Sequence, residues 1–197
     1  MGRIVVTEFV SVDGVMEAPG PDGSGFKHEG WTFNISTGRE GEKFKLDETM
    51  ASEAQLLGRV TYQAFASAWP SVEGEFGDKF NNMPKYVVSS TLEKADWKNS
   101  TVLKGDVLKE VSKLKQRING DIVVHGSAQL VQTLLAHDLV DELRLMVYPV
   151  VLGTGKRLFG HSSDMKRLRL KDSRTVGDGV LILTYEAAGK EAKKSSA

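Results

Sequence analysis

The chain reads as a single α/β domain in three layers: a mixed, largely parallel sheet, helices on both faces, and an antiparallel C-terminal edge. Three observations predict this. Strand-like and helix-like segments alternate through the middle of the chain, as they do where crossover helices join parallel strands. From residue 142 onward strands dominate, and they close in a hairpin around Gly177-Asp178-Gly179. Finally, three apolar runs break into small polar residues: Gln55–Tyr62, Tyr86–Thr91 and Ile122–Leu130. The first and third run on into helix-like sequence.

Ile4 to Val10 is β-branched and aromatic, ends at Asp13-Gly14, and reads as a buried strand. Residues 17–45 carry many Gly, Pro and polar residues around Trp31 and Phe33, and read as a long irregular segment of the kind that walls a pocket. Leu46 to Glu53 is a candidate short helix feeding a strand at 54–57. From Arg59, Val60, Phe65 and Trp69 recur at helical spacing up to Pro70. Residues 71–84 read as a surface loop, Lys85–Val88 as a short strand, and Ser100–Leu103 as another. Asp106 to Ile118 is an amphipathic helix with Asp106 as cap, Val107, Leu108, Val111, Leu114 and Ile118 as its apolar face, and Asn119-Gly120 as its stop. A strand at Asp121–Val124 and a helix at Ser127–His137 follow. Glu142–Val151 reads as a long strand, and Arg167–Val176 with Val180–Tyr185 as the final hairpin. Residues 1–187 thus form one domain, and 188–197 read as a polar, Lys-rich tail.

With 197 residues, 40% of them apolar and 26% charged, the chain can build one real core. Lys+Arg and Asp+Glu are both 26, so bulk charge offers no attraction to nucleic acid or to an anionic membrane. Zero cysteine excludes disulfides, thiolate metal sites and Cys nucleophiles, and fits a cytoplasmic protein. No signal-peptide core or membrane-length apolar run is present. His28, His125, His137 and His161 show no metal-ligand spacing, so no metal is expected.

The chemistry lies in the three strand ends. A strand that breaks at Gly or Ser and opens a helix aims backbone N–H groups and a positive dipole end at one place, which suits phosphate. Gly58, Arg59, Val60 and Thr61 would add a guanidinium fork and a hydroxyl; the same residues also read as an ordinary strand-to-helix turn with a solvated Arg. Ser89, Ser90 and Thr91 supply hydroxyls that, beside an Arg, favour a 2′-phosphate and hence NADP over NAD; they read equally as a capped turn. Gly126, Ser127, Ala128, Gln129 and Leu130 form the third end, with Gly126 permitting close approach and Ser127 able to cap the helix and donate to a pyrophosphate. One helix end contributes only about 0.3–1 kcal/mol, whereas micromolar binding needs about 8, so the three must act together. Together they point to a cofactor with several phosphates.

Other motifs fail on inspection. The first strand ends in Val12-Asp13-Gly14-Val15-Met16-Glu17, without a Rossmann fingerprint. Gly153-Thr154-Gly155 lacks a third glycine at Leu158, and Arg157 stands where a P-loop needs Ser or Thr. A nucleophile elbow is absent. Asp13 and Glu17 follow the first strand, where a carboxylate could orient a heterocycle or pass a proton, and they read equally as solvated loop carboxylates. Trp31 reads as a stacking platform for a planar substrate or as the anchor of its loop.

Taken in order, Phe9–Val15, Leu57–Tyr62, Val87–Ser90, Val124–Val131 and Pro149–Phe159 resemble the dihydrofolate-reductase-like family. The likeness is greatest to the C-terminal reductase domain of the bacterial bifunctional riboflavin deaminase-reductase, and it covers roughly residues 3–187. The resemblance implies a mixed eight-stranded sheet with NADPH across the strand ends. It would place Val10, Gly58, Arg59, Val60 and Thr61, Ser89 to Thr91, and Gly126 to Leu130 along the cofactor. Trp31, Leu152, Gly153 and Gly155 would border the substrate, and many members pair as homodimers. Dihydrofolate reductase carries two adjacent glycines at the third end, whereas Gly126-Ser127 matches the riboflavin-type relatives. Glu29, Asp47 and Glu48 offer no counterpart of the helix carboxylate that grips a pterin. The expected activity is hydride transfer from NADPH to a small heterocycle of pteridine or pyrimidine type, as in dihydrofolate or ribosylaminouracil reduction. Protonation would come from Asp13, Glu17 or water. A non-catalytic nucleotide-binding or regulatory module on the same scaffold is the alternative.

Overall fold

The computed structural model describes residues 1–160 and 165–187, so the expectations for His161 and for the tail at 188–197 lie outside the described residues. Eight strands form one sheet: β1 (Arg3–Ser11), β2 (Ser52–Gly58), β3 (Lys85–Val88), β4 (Ser100–Leu103), β5 (Asp121–Val124), β6 (Glu142–Tyr148), β7 (Leu168–Val176) and β8 (Val180–Ala187). Their spatial order is β4-β3-β2-β5-β1-β6-β8-β7. The first six run parallel; β8 pairs antiparallel with β6 and β7 with β8, which is the expected mixed sheet and antiparallel edge.

Five helices flank it: α1 (Gly38–Ala51), α2 (Arg59–Ala68), α3 (Glu75–Asn82), α4 (Val107–Arg117) and α5 (Ala128–Ala136). Helices α4 and α5 bury Val111, Leu114, Leu130, Val131 and Leu134 against Ile4, Val6 and Val10 of β1 and Ile122 and Val124 of β5. The opposite face of the sheet holds two clusters, one around Trp31, Met146 and Tyr148, the other around Leu57, Tyr62, Phe80 and Trp97. The cap of α4 is as expected: Asp106 accepts from the amides of Leu108 and Lys109 at 3.0 and 3.2 Å.

Two expectations need correction. The stretch 17–45 is not irregular throughout, because α1 begins at Gly38 and runs to Ala51 in place of the short helix at 46–53. The apolar stripe that marks a helix in sequence is missing because α1 buries polar groups, Glu48 and Thr49, with Lys45 beside them. Residues 71–84 likewise contain α3, whose Phe76 and Phe80 pack on Trp69. Eight residues with two aromatics are too short a pattern to stand out. Beside α3, the fully buried Lys85 donates to the carbonyls of Asn81, Met83 and Lys98 at 2.7, 2.9 and 3.1 Å, and burial lowers its pKa to about 8.

The loop before α1 is fastened to the far edge. Ser36 N–H donates to Asp178 Oδ2 at 2.9 Å, and Asp178 N–H returns a bond to the Ser36 carbonyl at 2.8 Å. Gly177, at φ +50, fits there only because it has no side chain: a Cβ would lie 2.0 Å from the Ser36 oxygen.

Candidate functional site

The sheet order brings the predicted strand ends together. Residues following β3, β2 and β5 occupy consecutive positions, and β1 comes next. Pairing of β1 with β5 stops at Val6↔Val124, while β1 continues beside β6 to Ser11↔Tyr148. A slot therefore opens between β1 and the segment His125–Ser127.

The three strand ends are not the open cradles that their sequences suggest. Gly58 N–H donates to Ser127 Oγ at 2.9 Å, Ser127 N–H to Thr61 Oγ1 at 2.9 Å, and Gly126 N–H to Glu8 Oε2 at 3.0 Å. Ser127 does not cap α5; it sits in the left-handed region at φ 58, and its hydroxyl donates to the His125 carbonyl at 3.0 Å. The bonds of Gly58 and Ser127 lock the ends of β2 and β5 to each other, and that of Gly126 ties β5 to β1. Gly126, at φ +56, would place a Cβ 2.9 Å from Thr61 Oγ1, so glycine is required for the lock. The amides open to an anion lie one step further on. The first intrahelical bond of α5 runs from Val131 N to Ser127 O, leaving the N–H groups of Ala128, Gln129 and Leu130 ahead of it.

Arg59 is exposed at the start of α2, its Nη1 3.1 Å from Gln63 Oε1, and Val60 is 65% exposed beside it. Ser89 Oγ accepts from the amides of Thr91 and Leu92 at 3.2 and 2.9 Å, which is the capped-turn arrangement; Ser90 and Thr91 are exposed. Val10 is buried in the core under this region.

Asp13 and Glu17 are both committed to loop bonds. Asp13 accepts from Ser11 Oγ at 2.6 Å and from the amides of Leu152 and Gly153 at 3.1 and 2.9 Å, with Arg157 Nη2 at 3.4 Å. The Ser11 hydroxyl and the Leu152 amide hold its carboxyl well below the usual carboxylate range. Glu17 accepts from Lys156 N at 2.9 Å and pairs with Lys156 Nζ at 2.7 Å, a hydrogen bond that lowers its pKa too. Both stay ionised near neutrality and fasten the segment after β1 to the segment after β6. Gly155 sits at that seam, where a Cβ would lie 2.7 Å from Val15. For Trp31 the geometry realises the anchor: it is 8% exposed, stands edge-on to Tyr148 at 5.4 Å, and donates from Nε1 to the Glu17 carbonyl at 2.8 Å.

Sequence reasoning missed a set of buried ionisable groups around the slot. Glu8 on β1 is 7% exposed. On the other face, Glu48 of α1 takes a bond from Thr7 Oγ1 at 2.9 Å, pairs with Lys45, and lies 3.3 Å from Arg144 Nη1. Burial raises its pKa, but Lys45, His125, and Arg144 outweigh that, and the carboxyl is held below its ordinary value. The His125 ring lies against Phe65 and Phe80 at 6.4 and 5.5 Å, and burial, aided by Lys45, pushes its pKa down to about 3. A buried apolar strand interrupted by two polar residues was the available signal, at Thr7-Glu8. A separate open groove of about 810 Å³, floored by Tyr62 and Trp97, lies along α2 and α3. The Tyr62 hydroxyl there is engaged by the Trp97 amide, and the groove offers none of the strand-end geometry.

The chain is 36% identical over 120 residues to YyaP, an uncharacterized protein of Bacillus subtilis (strain 168), covering 61% of this chain and 63% of that protein. The match therefore spans less than two thirds of that relative. Among solved structures, a riboflavin-biosynthesis-type protein from Shewanella sp. PV-4 superposes with a TM-score of 0.75 at 18% identity, covering 94% of this chain and 98% of that one. Dihydrofolate reductase from Enterococcus faecalis, solved with NADP(H), superposes with a TM-score of 0.56 at 13% identity over 94% of this chain and 96% of that one. These likenesses establish a dihydrofolate-reductase-like fold. The RibD C-terminal domain model matches residues 3–182, nearly the whole described chain, and the protein belongs to that family.

Proposed function

We propose that the protein is an NADPH-dependent reductase that delivers a hydride to a small heterocycle of pteridine or pyrimidine type. The observation that carries the reading is the succession of strand ends β3, β2 and β5, followed by the slot at β1. A dinucleotide laid along that succession meets complementary chemistry at each step. Ser90, Thr91 and the exposed Arg59 suit a 2′-phosphate, and the first-turn amides of α5 suit the pyrophosphate. The fold neighbour from Enterococcus faecalis was solved with NADP(H), which supports the same reading. When bound, NADPH supplies the hydride; the protein positions the two rings and excludes water.

The chain's own contribution is then mostly structural. Asp13 and Glu17 hold the loops at 13–17 and 152–157 together as one wall. Trp31 and Tyr148 pack behind that wall and keep water from it. Because both loop carboxyls are held ionised, the proton that completes reduction comes from water in this reading.

Arg59→Ala is expected to weaken NADPH binding about tenfold, about 1.4 kcal/mol, and to leave NADH binding unchanged. Fluorescence titration of the purified protein with both nucleotides measures this. Equal losses for the two would reject the role of Arg59, and absence of binding to either by the unaltered protein would sink the NADPH reading. The non-catalytic alternative draws on one observation, the ionised state of Asp13 and Glu17. Bound NADPH that no pteridine or pyrimidine substrate oxidises would favour it.

A further inference from the structure

Glu8 occupies the fork where β1 and β5 part. Its neighbours on the same face, Val6 and Val10, are core residues. Its Oε2 accepts from Gly126 N–H at 3.0 Å, while Oε1 is buried without a partner. Burial raises its pKa well above the usual carboxylate range, with the Glu48 charge adding to the rise and the Gly126 amide and Lys45 opposing it. Burial therefore favours the protonated form of the side chain. In that form the oxygen that accepts from the Gly126 amide is the carbonyl, and Oε1 carries a hydroxyl with nothing to donate to. A buried polar group left unpaired is costly, and native structures keep few of them.

The sheet order says what arrives there. With the 2′-phosphate end at β3 and β2 and the pyrophosphate at α5 above β5, the far end of the dinucleotide falls at β1. That end is the nicotinamide ring, which carries a carboxamide with a carbonyl acceptor. We propose that Glu8 is a cofactor-recognition residue, its Oε1–H donating to the carboxamide oxygen of the nicotinamide while Gly126 holds its other oxygen. This rests on the NADPH reading above. It assigns to the protein a side-chain contact at the nicotinamide end, in addition to the phosphate contacts.

The test compares NADPH with 2′-phospho-ADP-ribose, which keeps the phosphates and lacks the nicotinamide, by calorimetric titration. Glu8→Leu should weaken NADPH about tenfold and leave 2′-phospho-ADP-ribose unchanged. Glu8→Gln should keep both affinities, since its amide nitrogen donates where the hydroxyl did and its oxygen accepts from Gly126. A second arm needs no apolar replacement. As pH rises and Glu8 ionises, the unaltered protein should lose its preference for NADPH over 2′-phospho-ADP-ribose, and Glu8→Gln should keep it. The charged groups that bear on Glu8, Lys45 and Glu48 from α1, are the same in both proteins, so the difference reports on Glu8. Equal weakening of both nucleotides in Glu8→Leu, or identical pH profiles in Glu8→Gln and the unaltered protein, would overturn the assignment. Failure of the unaltered protein to bind either nucleotide would instead overturn the NADPH reading, and the inference with it.

Discussion

Glu48→Ala is expected to lower the free energy of unfolding by about 3–5 kcal/mol, the range seen when one partner of a buried ion pair is removed. Glu48 is 5% exposed and holds three groups at once: the Thr7 hydroxyl, Lys45 and the Arg144 guanidinium. Arg144 in turn bridges Asp121 at 3.1 Å and Glu142 at 2.6 Å, and Lys171 reaches Glu142 at 3.0 Å. Truncating Glu48 leaves Lys45, whose side chain is only 16% exposed, without its carboxylate. Total stability of a domain this size is about 5–15 kcal/mol, so the loss is a large fraction of it. The control is Lys43→Ala, which removes the exposed pair with Asp47 and should change stability by no more than about 0.5 kcal/mol. Urea unfolding of both variants measures the contrast. A loss below about 1 kcal/mol for Glu48→Ala would show that the network contributes little.

Between pH 4.5 and 6.5 two groups, half-buried His125 and buried Glu8, should pull stability in opposite directions. The pKa of His125 falls from 6.5 to about 3 on folding, so in this window the unfolded chain binds a proton that the folded chain does not. Its contribution to stability is present above 6.5 and is lost as pH falls, at about 1.4 kcal/mol per pH unit. Glu8 does the reverse. Its pKa rises from 4.5, so the folded chain holds the extra proton, and its contribution is lost as pH rises. His125→Phe should therefore unmask Glu8, with stability falling as pH rises across the window. Glu8→Gln should unmask His125, with stability rising. Urea unfolding at half-unit steps checks both, and slopes of the same sign in the two variants would rule out the opposition.

Much of the fold was legible because it rests on local periodicity. The Asp106 cap, the apolar stripe of α4 and the β-branched run of β1 are encoded within short windows. The ordered strand ends likewise marked the family. By contrast, α1 escaped notice because its inner face is Lys45, Glu48 and Thr49, which pattern reading assigns to solvent. Lys45 and Glu48 are interior only because Thr7 and Arg144, 38 to 96 positions away in sequence, neutralise and bond them.

The same division runs through the site. Sequence alone determined that Gly58-Arg59, Ser89-Ser90 and Gly126-Ser127 stand at strand ends. Tertiary structure decided which of their groups are already engaged. The amides of Gly58, Gly126 and Ser127 are spent on Ser127, Glu8 and Thr61, while Arg59, Ser90 and the first turn of α5 stay open. A residue's type fixes what it can bond, but only the approach of distant strands fixes which partner reaches it first. Glu8 is the clearest instance: a carboxylate by sequence, it is pushed toward its neutral form by burial where β1 and β5 part.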